Sequence, residues 1–176
     1  MYLSKIDYVL WSKKTTGNNG SQSLYLSFFD TITDTNLPTP NTIPKNWKRF
    51  QIQKINLFIN KAIVYMQYPT TVFQNFLTYA YFEFKISGYT ILSENITSLI
   101  KPSLNFAFVP SSESNVFELF ESVGFNNKSY LELEKPITLE PNMTFTFEIF
   151  ANNYYGLENA PFYLTFRGIL EKEIVG

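Results

Sequence analysis

Glu132 and Glu134, two apart in SYLELEK, form the most suggestive carboxylate pair in this chain. Such pairs can cleave glycosidic bonds, one protonating the leaving oxygen while the other attacks or activates water. Here leucines alternate with them, and a solvated strand face accounts for that pattern better. Glu118 and Glu121 differ in parity, so a strand would place them on opposite faces. A serine nucleophile would need a base, and the chain has no histidine. Ser98 and Lys101 match S-x-x-K, but Pro102 follows at once and the S-D-N and K-T-G partners of that chemistry are missing. With neither Cys nor His, disulfides, thiolate nucleophiles, imidazole bases and Cys/His zinc sites are excluded. The three aspartates, Asp7, Asp30 and Asp34, make no calcium loop. No catalytic residue, cofactor site or metal ligand set is expected, and the chain reads as something other than an enzyme.

Binding chemistry has more material. Aromatic residues make up 18% of the 176 residues, and flat rings stack on sugar faces. Trp11, Trp47 and the adjacent Tyr154 and Tyr155 are the best platforms. The two tyrosines fall in a loop, NNYYG, where ligand contacts concentrate. Packing in a core or interface is the competing use of aromatic rings. Cations gather at Lys13 and Lys14, and at Lys45, Lys48 and Arg49 around Trp47. A net charge of -1 gives no broad basic face, so no nucleic-acid partner is expected. The N-terminus lacks a basic-then-apolar signal layout, and no apolar run approaches the ~20 residues of a membrane-spanning helix. Four N-x-[ST] sites occur, close to the roughly three expected by chance at this composition, so they give no support for glycosylation.

The elements that must carry these residues read mostly at period two. Ile6, Tyr8 and Leu10 form one apolar set; Leu24, Leu26 and Phe28 another; then Phe82, Phe84 and Ile86; Phe145, Phe147 and Ile149; Phe162, Leu164 and Phe166. Each set belongs on one face of a strand. Between 50 and 59 the phase slips, and a bulge or bend near Gln53 and Lys54 would restore a single apolar face; the alternative is a strand buried on both sides. Polar loops are expected at 15–23, 110–115 and 124–129, a hairpin turn at Gly88, and a tight connection at Glu140–Asn142 between a short strand at 137–139 and a longer one at 143–150. Pro136 and Pro141 suit strand starts, edges and loops. One short helix is predicted near 70–77, from the spacing of Phe73, Phe76 and Leu77. The sum is a single all-β domain over 1–176, an antiparallel sandwich or barrel, with a long Pro-rich connection at about 30–48.

Four stretches together resemble the jelly-roll capsid proteins of tailless icosahedral bacteriophages. They are "RFQIQKINLFINKAIVYMQY", "TTVFQNF" leading into "TYAYFEFKISGYTILSE", "KSYLELEKPITLEPNMTFTFEIF", and the final "APFYLTFRGILEKEIVG". The resemblance spans about 49–170 and lies in aromatic strands entered through stiff prolines. It implies a jelly roll, and the length suits a single one. It also implies a structural virion protein (minor, vertex or major coat) located in the capsid, whose partners are other copies of itself and other virion proteins. In that setting the Pro-rich segment is expected to lie against a neighbouring subunit, with Leu37, Ile43 and Trp47 as contacts; the rival is that it packs on its own sheet edge. The alternative is a carbohydrate- or receptor-binding sandwich module, as in a phage spike or fibre, with Tyr154 and Tyr155 touching the ligand.

Overall fold

The computed structural model of the chain describes residues 2–60, 63–65, 75–100, 102–110, 117–125 and 130–174. The alternating sets pair into two antiparallel four-stranded sheets that pack as a sandwich. The first contains β1 (Tyr2–Thr15), β11 (Pro161–Ile174), β3 (Trp47–Ile59) and β9 (Leu131–Leu139), in that spatial order. The second contains β2 (Leu24–Phe28), β10 (Phe145–Ala151), β5 (Tyr81–Ile86) and β6 (Tyr89–Asn95). A third, smaller sheet pairs β4 (Ile63–Tyr65) with β8 (Phe117–Phe125) and β8 with β7 (Pro102–Pro110). The loops expected at 110–115 and 124–129 fall largely outside the described residues.

Most positions of the predicted apolar sets meet between the two large sheets, but Ile6, the outermost of the first set, is exposed. Phe166 of β11 is their hub: its ring lies 5.1 Å from Phe29, 5.3 Å from Phe84, 6.2 Å from Phe145 and 5.8 Å from Phe147. Tilted and edge-on ring packing of this kind adds to the gain from burial alone. In β3 the phase slip is a bulge, as expected. The register steps from Ile55 and Lys54 to Ile52, passing over Gln53, so Phe50, Ile52, Ile55, Leu57 and Ile59 are all buried. Opposite that step stands Gly168, where a Cβ would lie 1.8 Å from the carbonyl oxygen of Gln51.

Turn chemistry follows the sequence closely. Ser87 and Gly88 both have positive φ, 49° and 84°, which is the requirement of a two-residue type I′ hairpin between β5 and β6. Glu140 to Met143 closes with a 3.1 Å backbone hydrogen bond, with Pro141 second and Asn142 third at φ 63°, a type II turn. Residues 75–79 are helical and bury Phe76 against Phe162, 6.3 Å between rings. The earlier part of the predicted helix, 70–74, lies outside the described residues. Strand β9 starts before Pro136 rather than after it. The ladder to β3 jumps from Glu132 opposite Lys54 to Ile137 opposite Ile52, so the proline sits where the edge strand bows away from its neighbour.

The Pro-rich connection behaves differently from its expected role. Leu37, Ile43 and Trp47 are buried in the chain's own core, Trp47 to 4% exposure, and so present no surface to a neighbouring subunit. Trp47 packs edge-on to Tyr8 at 5.2 Å and to Phe50 at 6.1 Å. The cause is backbone pairing within the molecule. Lys13 N–H donates to the Asp34 carbonyl at 2.8 Å and Asn36 N–H to the Trp11 carbonyl at 3.3 Å. Farther on, Ile43 N–H donates to Met143 and Phe145 N–H to Asn41. The segment is thus tied along one sheet edge and then beside the start of β10.

Candidate functional site

A sandwich of two open sheets has four edges, each a row of unpaired N–H and C=O groups that must be managed. The β1 edge is covered at 34–36, where the Asn36 side chain also accepts from Trp11 N–H and donates to the Val9 carbonyl, both at 2.8 Å. The β9 edge is broken by its bow and by Pro136, and carries Glu132, Glu134 and Lys135. Strand β2 has only five residues. Strand β6 has seven, YTILSEN, with Glu94 its single charge, and no described strand pairs with its outer side. Tyr89 is 77% exposed and Ile91 46%. Ile91 forms a bulge close to the hairpin turn, leaving Leu92–Asn95 in regular register with β5.

Where β6 and β9 lie side by side, the two sheets leave a groove of about 550 Å³. Its lining comes from Ile91, Leu92 and Glu94 on β6, and from Leu131 to Lys135 and Ile137 on β9. The floor is apolar, since Leu92, Leu131, Leu133 and Ile137 are half-buried against the core. Glu94 shares the face of Leu92, because the two stand opposite Phe82 and Phe84, both of which point inward. Glu132 and Glu134 alternate with the half-buried Leu131 and Leu133, so they stand on the other face of β9, at the rim of this space beside Lys135. Lys54 approaches from β3, 3.2 Å from Glu132 and 4.4 Å over the Tyr130 ring, and its hydrogen bond to Glu132 raises its pKa.

The outer faces carry two further constellations. On the second sheet Glu148 accepts from the Tyr25 hydroxyl at 2.7 Å and from Lys85 at 2.9 Å. Lys85 also reaches Glu83 at 2.6 Å. Burial pushes the Glu148 carboxyl up, but the hydrogen bonds from Lys85 and Tyr25 together overcome it and hold the group below its ordinary value. Hydrogen bonds to Glu83 and then Glu148 push Lys85 up. Beside this cluster runs an aromatic row: Phe150 stacks on Tyr81 at 5.0 Å and tilts against Tyr25 at 5.3 Å. On the first sheet Glu171 is buried and bonded by Arg49 at 2.8 and 2.9 Å, with Lys5 at 3.2 Å. The Arg49 hydrogen bond is the main cause that lowers the Glu171 pKa.

The residues singled out in the sequence are scattered. Glu132 and Glu134 reach the β6–β9 groove, but Glu132 is engaged by Lys54. Ser98 lies in a 3-10 turn at Ile96–Ser98 and donates to the Asn95 carbonyl at 3.0 Å, while Lys101 lies outside the described residues. The side chains of Glu118 and Glu121 are also outside them. The expected ligand pair splits. Tyr154 is 4% exposed and pressed so close to Gly17 that a Cβ there would lie 2.8 Å from its hydroxyl, whereas Tyr155 is 45% exposed. A buried Tyr154 leaves Tyr155 alone at the surface, because the loop closes through hydrogen bonds from Tyr154 N–H to Gly20 and from Leu157 N–H to Tyr154. Of the cations near Trp47, Arg49 is tied to Glu171; in the separate Lys13–Lys14 cluster, Lys14 pairs with Asp30.

Sequence reading missed the β6 edge and the Tyr25–Phe150–Tyr81 row. Both depend on which strands become neighbours, and no local pattern encodes that. The adjacent Ile91 and Leu92, which break period two, were the one available signal for the bulge. Among the described residues no three acidic side chains are grouped to hold a metal ion, and no helix is long and apolar enough to cross a membrane. No protein-family model matches the chain, and no curated protein matches it.

Proposed function

We propose that this chain is a structural virion protein, a capsid subunit built as a single jelly roll that assembles with other copies of itself and with other virion proteins. The observation that carries the reading is the pairing order. Counting only the eight strands of the two large sheets along the chain, the first pairs with the eighth, the second with the seventh, the third with the sixth and the fourth with the fifth. That order supports the reading of one long antiparallel ribbon rolled over itself, and the pairs of eighth with third and seventh with fourth complete the two sheets. A rolled ribbon of eight antiparallel strands in two sheets is the jelly-roll plan, common in viral shells. The absence of histidine and cysteine and the engaged state of Glu132, Glu148 and Glu171 favour a scaffold role over turnover. Electron microscopy of the purified chain over a range of salt and concentration tests this: rings or shells are expected, and dispersed single subunits throughout would count against it.

The second reading, a carbohydrate-binding module, is favoured by the Tyr25–Phe150–Tyr81 row beside Glu148, where rings and fixed hydrogen-bonding groups share one face. Titration with an array of oligosaccharides separates the two: saturable binding lost in Tyr81→Ala, by a chain that stays monomeric, supports the module.

A further inference from the structure

We propose that Asn19 is a site of spontaneous deamidation, promoted by its own loop, and that the product loosens the clasp between residues 16–22 and 154–160. Of the seventeen asparagines in the chain, Asn19 alone is followed by glycine. With no Cβ on Gly20, nothing hinders its backbone nitrogen from attacking the neighbouring carboxamide. Asn19 is exposed, and its side chain folds back along the backbone in an Asx turn. Its Oδ1 accepts from Ser21 N–H at 3.2 Å and from the Ser21 hydroxyl at 2.6 Å. Both donors sit on the oxygen that gains negative charge when Cγ is attacked, and fixed donors at that place lower the barrier to acyl transfer.

In the reaction the Gly20 nitrogen gives its proton to a solvent base and bonds to Asn19 Cγ. The Cγ–Nδ2 bond then breaks and ammonia leaves, taking a proton from water, so that a cyclic imide remains. Water opens the imide at Cγ to give aspartate, or at the backbone carbonyl to give isoaspartate. Gly20 is poorly placed to tolerate either product. A Cβ on it would lie 2.0 Å from Glu158 Oε1 and 2.9 Å from Tyr155 Cα, and its carbonyl accepts from Tyr154 N–H at 2.8 Å. Asn159 N–H donates to the Gly17 carbonyl at 2.8 Å, while the Thr16 hydroxyl donates to the Leu157 carbonyl and accepts from Ala160 N–H. Aspartate brings a new negative charge next to the residue that Glu158 touches. Isoaspartate also lengthens the backbone by one atom just before Gly20, and it turns the Asn19 carbonyl that accepts from Gln22 N–H into a free carboxylate.

The test incubates the full chain in mildly alkaline buffer made with heavy-oxygen water, then digests it with trypsin. The peptide Thr15–Lys45 carries both Asn18 and Asn19, and its fragmentation tells them apart. Heavy oxygen is expected at residue 19, entering at least about tenfold faster than at the equally exposed Asn18. Ser21→Ala, an exposed change that keeps the N–H and removes the hydroxyl, is expected to slow conversion about tenfold, as befits one hydrogen bond to developing charge. Its melting temperature checks that it is folded. In the converted protein, amide exchange at Tyr154 and Asn159 is expected to quicken while the sandwich strands stay protected. No conversion at Asn19, equal conversion at Asn18, a rate unmoved by Ser21→Ala, or unchanged exchange at Tyr154 and Asn159 would each overturn the proposal. None of these readouts depends on assembly, so they stand apart from the fate of the capsid reading.

Discussion

Gly168 shows how a single residue makes the β3 bulge possible. The bulge at Gln53 lets two runs of opposite parity share the core, and it brings the Gln51 carbonyl onto the place where any side chain of residue 168 would begin. Gly168→Ala is therefore expected to cost about 3 kcal/mol or more, because backbone rather than a flexible side chain must move. Urea unfolding checks it, and a loss under 1 kcal/mol on that scale would show that the strands can separate there easily. Trp47 makes the same point about placement. Its buried contacts with Tyr8 and Phe50 predict that Trp47→Ala lowers monomer stability by about 3–5 kcal/mol, read by thermal unfolding, while leaving association of the folded fraction intact. The bulge was legible in the sequence because parity is a local property. The burial of Leu37, Ile43 and Trp47 was not: an aperiodic, Pro-rich run does not say which surface it will lie on, and here Asn36 and Asp34 fix it to β1 through backbone groups.

At the scale of elements, the second sheet carries its charge chemistry on one outer row. Glu148 joins β10 to β2 through Tyr25 and to β5 through Lys85. Since its folded-state pKa is held below the ordinary 4.5, its contribution is fully present above that pH and is lost as pH falls through the lowered value. Glu148→Gln is expected to be less stable than the parent near neutral pH, with the gap closing below about 4.5 as the parent carboxylate protonates. Melting temperatures of both proteins across that range measure the gap, and a constant offset would mean that Glu148 acts through packing alone. Strand content and the two tight turns were readable from alternation, Gly88, Pro141 and Asn142, since each reports a local backbone demand. The start of strand β9 is not legible at Pro136, because an edge strand absorbs a proline by bowing out of the ladder and so runs on both sides of it.

On the scale of the whole molecule, an alternating pattern identifies strands but leaves their neighbours open, because pairing partners such as Tyr2 and Ile174 lie at opposite ends of the chain. The sandwich could be anticipated; the β6 edge, which has no strand on its outer side among the described residues, could not, and the groove between β6 and β9 exists only once both sheets are stacked. The central claim is that this molecule is a building unit whose role is association. Native mass spectrometry of the purified chain over rising concentration tests it most directly. A closed species holding one fixed number of subunits is predicted. A monomer at every concentration would contradict the claim.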